Sequence, residues 1–283
     1  MPEMPRRSRP DAMKSPKSQD KAMATSESSE TSSDQDSRRR FLKYAASGAA
    51  TVLMVYIPGA TAGHRHSRIW KQRSKEHQWA YVIDAGKCIG WGGCVRACKR
   101  ENNVPDGVFR TWIERYIVTE DGVHVDSPNG GLGGFNEADP EIQKKALYAR
   151  FIPKMCNHCA NPPCVQVCPV GATYKSPEGF VLIDHDHCLG CAYCVQACPY
   201  SARFINPVLK KSDKCTWCYH RIKKGKLPAC VEACPTGARK FGDLNDPDSE
   251  VSEILRDGKW SVLKPQMHTG PTCFYVELPK EVV

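Results

Sequence analysis

The chain has 283 residues, 16 of them cysteine, and a formal net charge of +9. That length allows one large or two small domains. The charge invites a nucleic-acid reading, but residues 1–62 hold ten Lys/Arg and seven Asp/Glu, leaving 30 against 24, or +6, for the rest; no arginine stripe interleaved with stacking aromatics is present, which excludes nucleic acid as the partner.

In chain order, residues 1–36 are rich in Ser, Pro and charge and cannot bury a core. Ser37-Arg38-Arg39-Arg40-Phe41-Leu42-Lys43 follows, then an apolar run from Tyr44 to Ile57 and the small-residue site Ala60-Thr61-Ala62. This order resembles a twin-arginine signal peptide, so residues 1–62 are expected to be a disordered N-region and export signal. The resemblance implies export in the folded state, a mature chain beginning near Gly63, and a periplasmic location. The apolar run falls short of the roughly 20 residues a span requires, so membrane attachment is expected through partners or an uncleaved signal.

The folded part is expected over 79–278. Trp79–Ile83 predicts a strand leading into a first cysteine group, Cys88-Ile89-Gly90-Trp91-Gly92-Gly93-Cys94-Val95-Arg96-Ala97-Cys98. An insertion, 99–155, predicts a β-hairpin from Thr111–Val118 through Asp121-Gly122 to Val123–Val125, then a flexible loop at Asn129–Gly134. That loop has no strand–turn–helix context for phosphate binding. The second and third groups, 156–198, read Cys156-x2-Cys159-x4-Cys164-x3-Cys168-Pro169 and Cys188-x2-Cys191-x2-Cys194-x3-Cys198-Pro199. The fourth, 215–234, reads Cys215-x2-Cys218-x11-Cys230-x3-Cys234-Pro235. Strands are expected at Phe180–Ile183 and Ala202–Ile205, with turns at Val170-Gly171-Ala172 and Thr236-Gly237-Ala238. In the C-terminal tail, 240–283, Asp246-Pro247 opens a helix running to Arg256, and Leu263–Leu278 reads as extended.

Thiolates converging from several directions suit iron–sulfur clusters: a C-x2-C-x2-C turn wraps three of them, and a cysteine followed by proline reaches a second cluster. Zinc ribbons stop at two pairs, cysteines two residues apart are poorly placed for disulfides, and no C-x2-C-H for covalent haem occurs. Where the first group calls for a second cysteine it has Trp91, and indole nitrogen donates hydrogen bonds but does not ligate metal.

With the cysteine groups, signal and insertion together, the chain resembles the four-cluster iron–sulfur subunits of membrane-bound oxidoreductases. These serve dimethyl sulfoxide, tetrathionate, polysulfide and formate-related molybdopterin enzymes and the formate-dependent nitrite reductase system. The likeness covers 79–278 and is carried by Cys98-Lys99-Arg100-Glu101-Asn102, by Leu227-Pro228-Ala229-Cys230-Val231-Glu232-Ala233-Cys234-Pro235-Thr236-Gly237-Ala238, and by Phe241-Gly242-Asp243-Leu244-Asn245-Asp246-Pro247. Similar exported subunits occur in quinone-reductase, alternative complex III and sulfite-reductase-linked assemblies.

The resemblance implies an α+β fold of tandem ferredoxin-like units, of the bacterial two-[4Fe-4S] type, with an inserted β-hairpin and an extended C-terminal tail. It implies that the first group pairs with the fourth and the second with the third, each pair exchanging its last cysteine. One cluster then takes Cys156, Cys159, Cys164 and Cys198, and its neighbour Cys188, Cys191, Cys194 and Cys168. Cys98 joins Cys215, Cys218 and Cys230, which leaves Cys88, Cys94 and Cys234 as a three-thiolate site with Trp91 at its vacant corner. The expected complement is three [4Fe-4S] clusters and one [3Fe-4S], or a labile [4Fe-4S] in its place. The implied role is electron transfer without a substrate, between an integral-membrane quinone-reactive subunit and an exported molybdopterin catalytic subunit or multihaem cytochrome. A free periplasmic carrier and a substrate-binding exposed iron are the competing classes. Cys273 reads as a buried thiol, His158, His185 and His187 as non-ligating neighbours, and Tyr193 and Trp217 as packing around the clusters.

Overall fold

A computed structural model describes residues 76–282. The expected N-region and twin-arginine signal, 1–62, lie outside the described residues. Trp79–Asp84 (β1) has no polar residue between Ala80 and Ile83 and buries all four of these positions, as a strand covered on both faces must. The first cysteine turn leads into Gly93–Asn102 (α1), entered through Gly92 in the left-handed conformation (φ 78). A Cβ at Gly92 would overlap the Gly131 carbonyl oxygen, so the turn requires glycine twice over. Asn103, also left-handed, ends α1, with Lys99 and Arg100 complementing the negative end of the helix.

Thr111–Thr119 (β2) and Gly122–Asp126 (β3) pair antiparallel, with Thr119 opposite Gly122. The expected loop at Asn129–Gly134 is instead built into the fold: Pro128–Gly131 forms a 3₁₀ turn whose Gly130 and Gly131 are buried, and a Cβ on Gly130 would strike the Phe109 ring. Pro140–Lys145 (α2), capped by the Asp139 carboxylate, precedes Ala146–Met155 (β4), a ten-residue strand absent from the sequence expectation. β4 pairs along β2 from Thr111–Met155 to Thr119–Ala146, so the segment between the first two cysteine groups is a three-stranded sheet, β3-β2-β4.

The remaining cysteine groups alternate short helices with short strands: Pro163–Gln166 (α3), Thr173–Lys175 (β5), Val181–Ile183 (β6), Tyr193–Gln196 (α4), Arg203–Ile205 (β7), Ser212–Lys214 (β8), Tyr219–Ile222 (α5), Ala229–Glu232 (α6) and Arg239–Asp243 (β9). Among the described residues β5 pairs only with β6, and β7 only with β8. The C-terminal region is less extended than expected. Glu250–Arg256 (α7) starts a few residues after Asp246-Pro247, at Ser249, whose hydroxyl accepts from Ser252 N. Trp260–Ser261 (β10) and Cys273–Val276 (β11) then complete a sheet in the order β10-β11-β1-β9, with β11 parallel to β1. Tyr81 and Ile83 of β1 face a core shared with Trp217, Phe180, Phe241 and several cysteines, while Ala80 and Val82 face Val251 of α7. Short helices and mostly antiparallel strands make this an α+β, ferredoxin-like arrangement.

Candidate metal centres

Cys88, Cys94 and Cys234 line one small pocket with Trp91 and Arg239. A second is lined by Cys156, Cys159, Cys164 and Cys198 with Arg203. Cys98, Cys215, Cys218 and Cys230 are mutual neighbours: burial, and then the charges of Cys230 and Cys218, push the Cys98 thiol up, and burial with Cys98 and Cys230 does the same to Cys215. Asn102 Nδ2 lies 3.6 Å from Cys98 Sγ and 3.7 Å from Cys218 Sγ, held there by Arg110, which donates to Asn102 Oδ1 at 3.0 Å and is paired with buried Asp213 at 2.8 Å. The last set is more open. Cys194 is buried, Cys168 and Cys188 are half-buried, and Cys191 is exposed. Its turns meet where Cys164 and Cys194 pack with Val165 and Val181.

Cys94, Cys156, Cys215 and Cys230 share the main core, and Cys164 packs with Cys194. Among the described residues, no three His, Cys, Asp or Glu side chains converge on one point as a single ion needs. In the two mapped pockets the thiols line a shared wall instead. Left-handed non-glycine residues occur inside three of the four cysteine turns, at His158 (φ 42), Ala192 (φ 65) and Trp217 (φ 52). Each costs about 1–2 kcal/mol, and each turns backbone N–H groups into a concavity suited to an anion. Trp217 N, 3.3 Å from Cys215 Sγ, is one such donor.

Trp217 and His158 join the two halves. The Trp217 indole donates to Cys156 O at 3.1 Å and stacks on His158 at 4.2 Å between ring centroids. Val181 N donates to His158 Nδ1 at 3.0 Å, so the ring carries its proton on Nε2 and donates it to Cys215 O, also at 3.0 Å. Burial first, and then the Lys214 charge, hold His158 well below the usual histidine range, so it is a neutral bridge. His185 bonds Ser212 O and exposed His187 pairs with Asp184. Tyr193 departs from the packing role expected of it: it is 58% exposed. Trp91 is 52% exposed, yet its ring lies against Gly93, and Arg96 sits over its face at 4.7 Å while donating to Leu132 O. Cys273 is fully buried on β11 and does not line the three-thiol cavity. The segment before it straps the second cysteine turn, through Ala160 N to Gly270 O at 2.6 Å and Asn161 N to Thr269 O at 2.8 Å.

Residues 147–244, which include the second, third and fourth groups, match the family described as a 4Fe-4S dicluster domain. A tetrathionate reductase subunit of Salmonella typhimurium is 41% identical over 244 residues, 86% of this chain and 88% of the relative. Its namesake in Archaeoglobus fulgidus is 47% identical over 211 residues, 75% of this chain and 87% of that one. The arsenate respiratory reductase iron-sulfur subunit ArrB of a Shewanella species is 35% identical over 243 residues, 69% and 94% respectively. The chain belongs to this family of reductase iron–sulfur subunits.

As an iron–sulfur electron-transfer subunit, the protein must offer its cavities to an anionic group, and two buried residues test that fit. Arg203 lines the Cys156 cavity with Nε and Nη2 lacking a hydrogen-bond partner, and Arg239 lines the three-thiol cavity with Nη1 lacking one. A guanidinium does not lose its proton, so a buried one with donors left unmatched calls for negative charge in the space it faces. Thiolate-bound clusters supply it, and the residues fit the group. Neither arginine stood out in the sequence reading. The signal was there: both follow a cysteine–proline pair at the same offset and immediately after an alanine.

Proposed function

We propose that the four cysteine sets hold four iron–sulfur clusters in series, three [4Fe-4S] and, at Cys88, Cys94 and Cys234, one [3Fe-4S]. The fold is read as tandem ferredoxin-like units into which the sheet β3-β2-β4 is inserted. Such clusters, when bound, take up and release one electron at a time. The protein's part is to space the sites: Trp217 and His158 brace the middle of the series, and Trp91 covers the corner that has no thiolate. Three-iron clusters generally sit at higher potential than cubanes in like surroundings, so this site marks the high-potential end, facing the quinone-linked partner.

The chain then relays electrons between an integral-membrane quinone-reactive subunit and an exported catalytic subunit. Relatives named as reductase subunits favour a catalytic reductase partner, a molybdopterin subunit or a multihaem cytochrome. Attachment through partners is in keeping with the described residues, among which no helix is long and apolar enough to cross a membrane. Twin-arginine export to the periplasm completes the reading.

The observation that carries the cluster assignment is that three thiols, and Trp91 in the fourth place, line one cavity. EPR of the oxidised protein should give a three-iron signal, with one iron fewer than four complete cubanes by analysis. Trp91→Cys should abolish that signal and restore the missing iron. A wild-type protein that is EPR-silent when oxidised and carries a full iron complement would overturn the assignment.

A further inference from the structure

Three of the cysteine groups end in one repeated device. Cys168-Pro169-Val170-Gly171-Ala172 leads to Thr173, Cys198-Pro199-Tyr200-Ser201-Ala202 to Arg203, and Cys234-Pro235-Thr236-Gly237-Ala238 to Arg239. The turns are alike: Gly171 (φ 66), Ser201 (φ 52) and Gly237 (φ 64) are left-handed, and each donates its N–H to the carbonyl of the group's last cysteine at 3.3 to 3.4 Å. In all three the next residue but one opens a strand: Thr173 opens β5, Arg203 β7 and Arg239 β9. After the first group the strand is β2, and it opens with Thr111.

These four residues meet in two matched couples. Arg203 Nη1 donates to Thr173 Oγ1 at 3.1 Å, and Arg239 Nη2 donates to Thr111 Oγ1 at 2.9 Å. Both arginines are buried, 4% and 2% exposed, and both leave guanidinium nitrogens without partners. The charge of Arg203 acts on Cys164, Cys156 and Cys194, which belong to both sets of the second–third pair. That of Arg239 acts on Cys94 and Cys230, which belong to both sets of the first–fourth pair.

We propose that Arg203 and Arg239 are equivalent redox-tuning residues, each held by a threonine between the two cluster sites of its own pair and raising the reduction potential of both. The proposal rests on the reading that clusters occupy these sites. Reduction adds negative charge, so a fixed cation within the pair favours the reduced state, and hydrogen bonds to cluster sulfur act in the same direction. Burial keeps water from screening the effect.

Potentiometric EPR titration of the full, cluster-loaded chain tests it, with iron and acid-labile sulfide measured on the same samples. Arg203→Met should lower the midpoints of two cubanes and leave the three-iron midpoint in place. Arg239→Met should lower the three-iron midpoint and that of one cubane, and lysine at either position should keep most of the wild-type value. Loaded clusters with unmoved midpoints in both methionine variants overturn the arginine proposal alone; a chain without iron or labile sulfide overturns the cluster reading beneath it as well. Where a methionine variant loses its iron, the test moves to unaltered protein grown on ¹⁵N-arginine. Pulsed EPR of its clusters should then show weak nitrogen coupling, and no coupling at either pair overturns the proposal.

Discussion

Cys98, Cys215, Cys218 and Cys230 are all buried, whereas Cys191 stands at the surface with Leu189 and Tyr193 exposed beside it. The turns are of one kind, so the difference lies in what the chain wraps around them. The first–fourth pair has the four-stranded sheet β10-β11-β1-β9 against it, and Ile113 and Pro153 of the three-stranded sheet line its cavity. The second–third pair keeps Cys156 and Cys159 in the main core, but beyond them it is framed by the two-stranded ribbons β5-β6 and β7-β8. Two-stranded ribbons are marginal by themselves in water. The set of Cys98, Cys215, Cys218 and Cys230 is therefore held chiefly by protein packing, and the set of Cys168, Cys188, Cys191 and Cys194 at the other end relies on its metal, whose binding energy becomes folding energy.

Substituting one thiol at each end breaks this contrast most directly. Cys215→Ala empties a position in the main core beside Trp217, and no folded, soluble chain is expected to accumulate. Cys191→Ala removes an exposed ligand; the chain should fold and keep the iron of the first–fourth pair while losing iron at the second–third end. Soluble yield with iron per chain measures both, and equal behaviour of the two variants would refute the contrast.

Trp217→Ala asks whether the ends fold as one. Among the described residues this indole is the largest fully buried side chain, and it touches both halves through Cys156 O and His158. A loss of about 3–5 kcal/mol is expected for such a truncation, and calorimetry should separate one melting transition into two. A single, slightly shifted transition would mean the halves are joined elsewhere.

The cysteine groups and the gap at Trp91 were legible in the sequence because metal ligation demands fixed residue types at fixed spacing. β1 was legible because an apolar run covered on both faces needs no partner to be recognised. β4 was not: Ala146–Met155 carries Arg150, Pro153 and Lys154, and its pattern makes sense only beside β2. Tyr193 illustrates the same limit from the other side, since a tyrosine inside a cysteine turn looks the same whether it packs or protrudes. Arg203 and Arg239 were missed because a single arginine after a turn resembles any surface residue; only the aligned cysteine–proline offsets distinguish them.

The smallest expected effect concerns the polar face of the inserted sheet. Trp112, Glu114 and Tyr116 alternate along β2 onto one face, and Lys154 of β4 reaches the same place: the carboxylate accepts from Trp112 at 2.7 Å and Tyr116 at 2.8 Å and pairs with Lys154 at 2.6 Å. Burial raises the Glu114 pKa, but those hydrogen bonds and the lysine charge outweigh it and hold the group below its ordinary 4.5. A carboxyl whose folded pKa is depressed contributes stability that is complete above the ordinary value and is lost as pH falls through the lowered one. Glu114→Gln should therefore cost about 1–3 kcal/mol at neutral pH, by urea melts of the loaded protein, and the gap between variant and wild type should close below pH 4.5. With iron content followed in parallel, a gap that stays constant down to that range would show that the ionised carboxylate does not help the sheet cover the first–fourth pair.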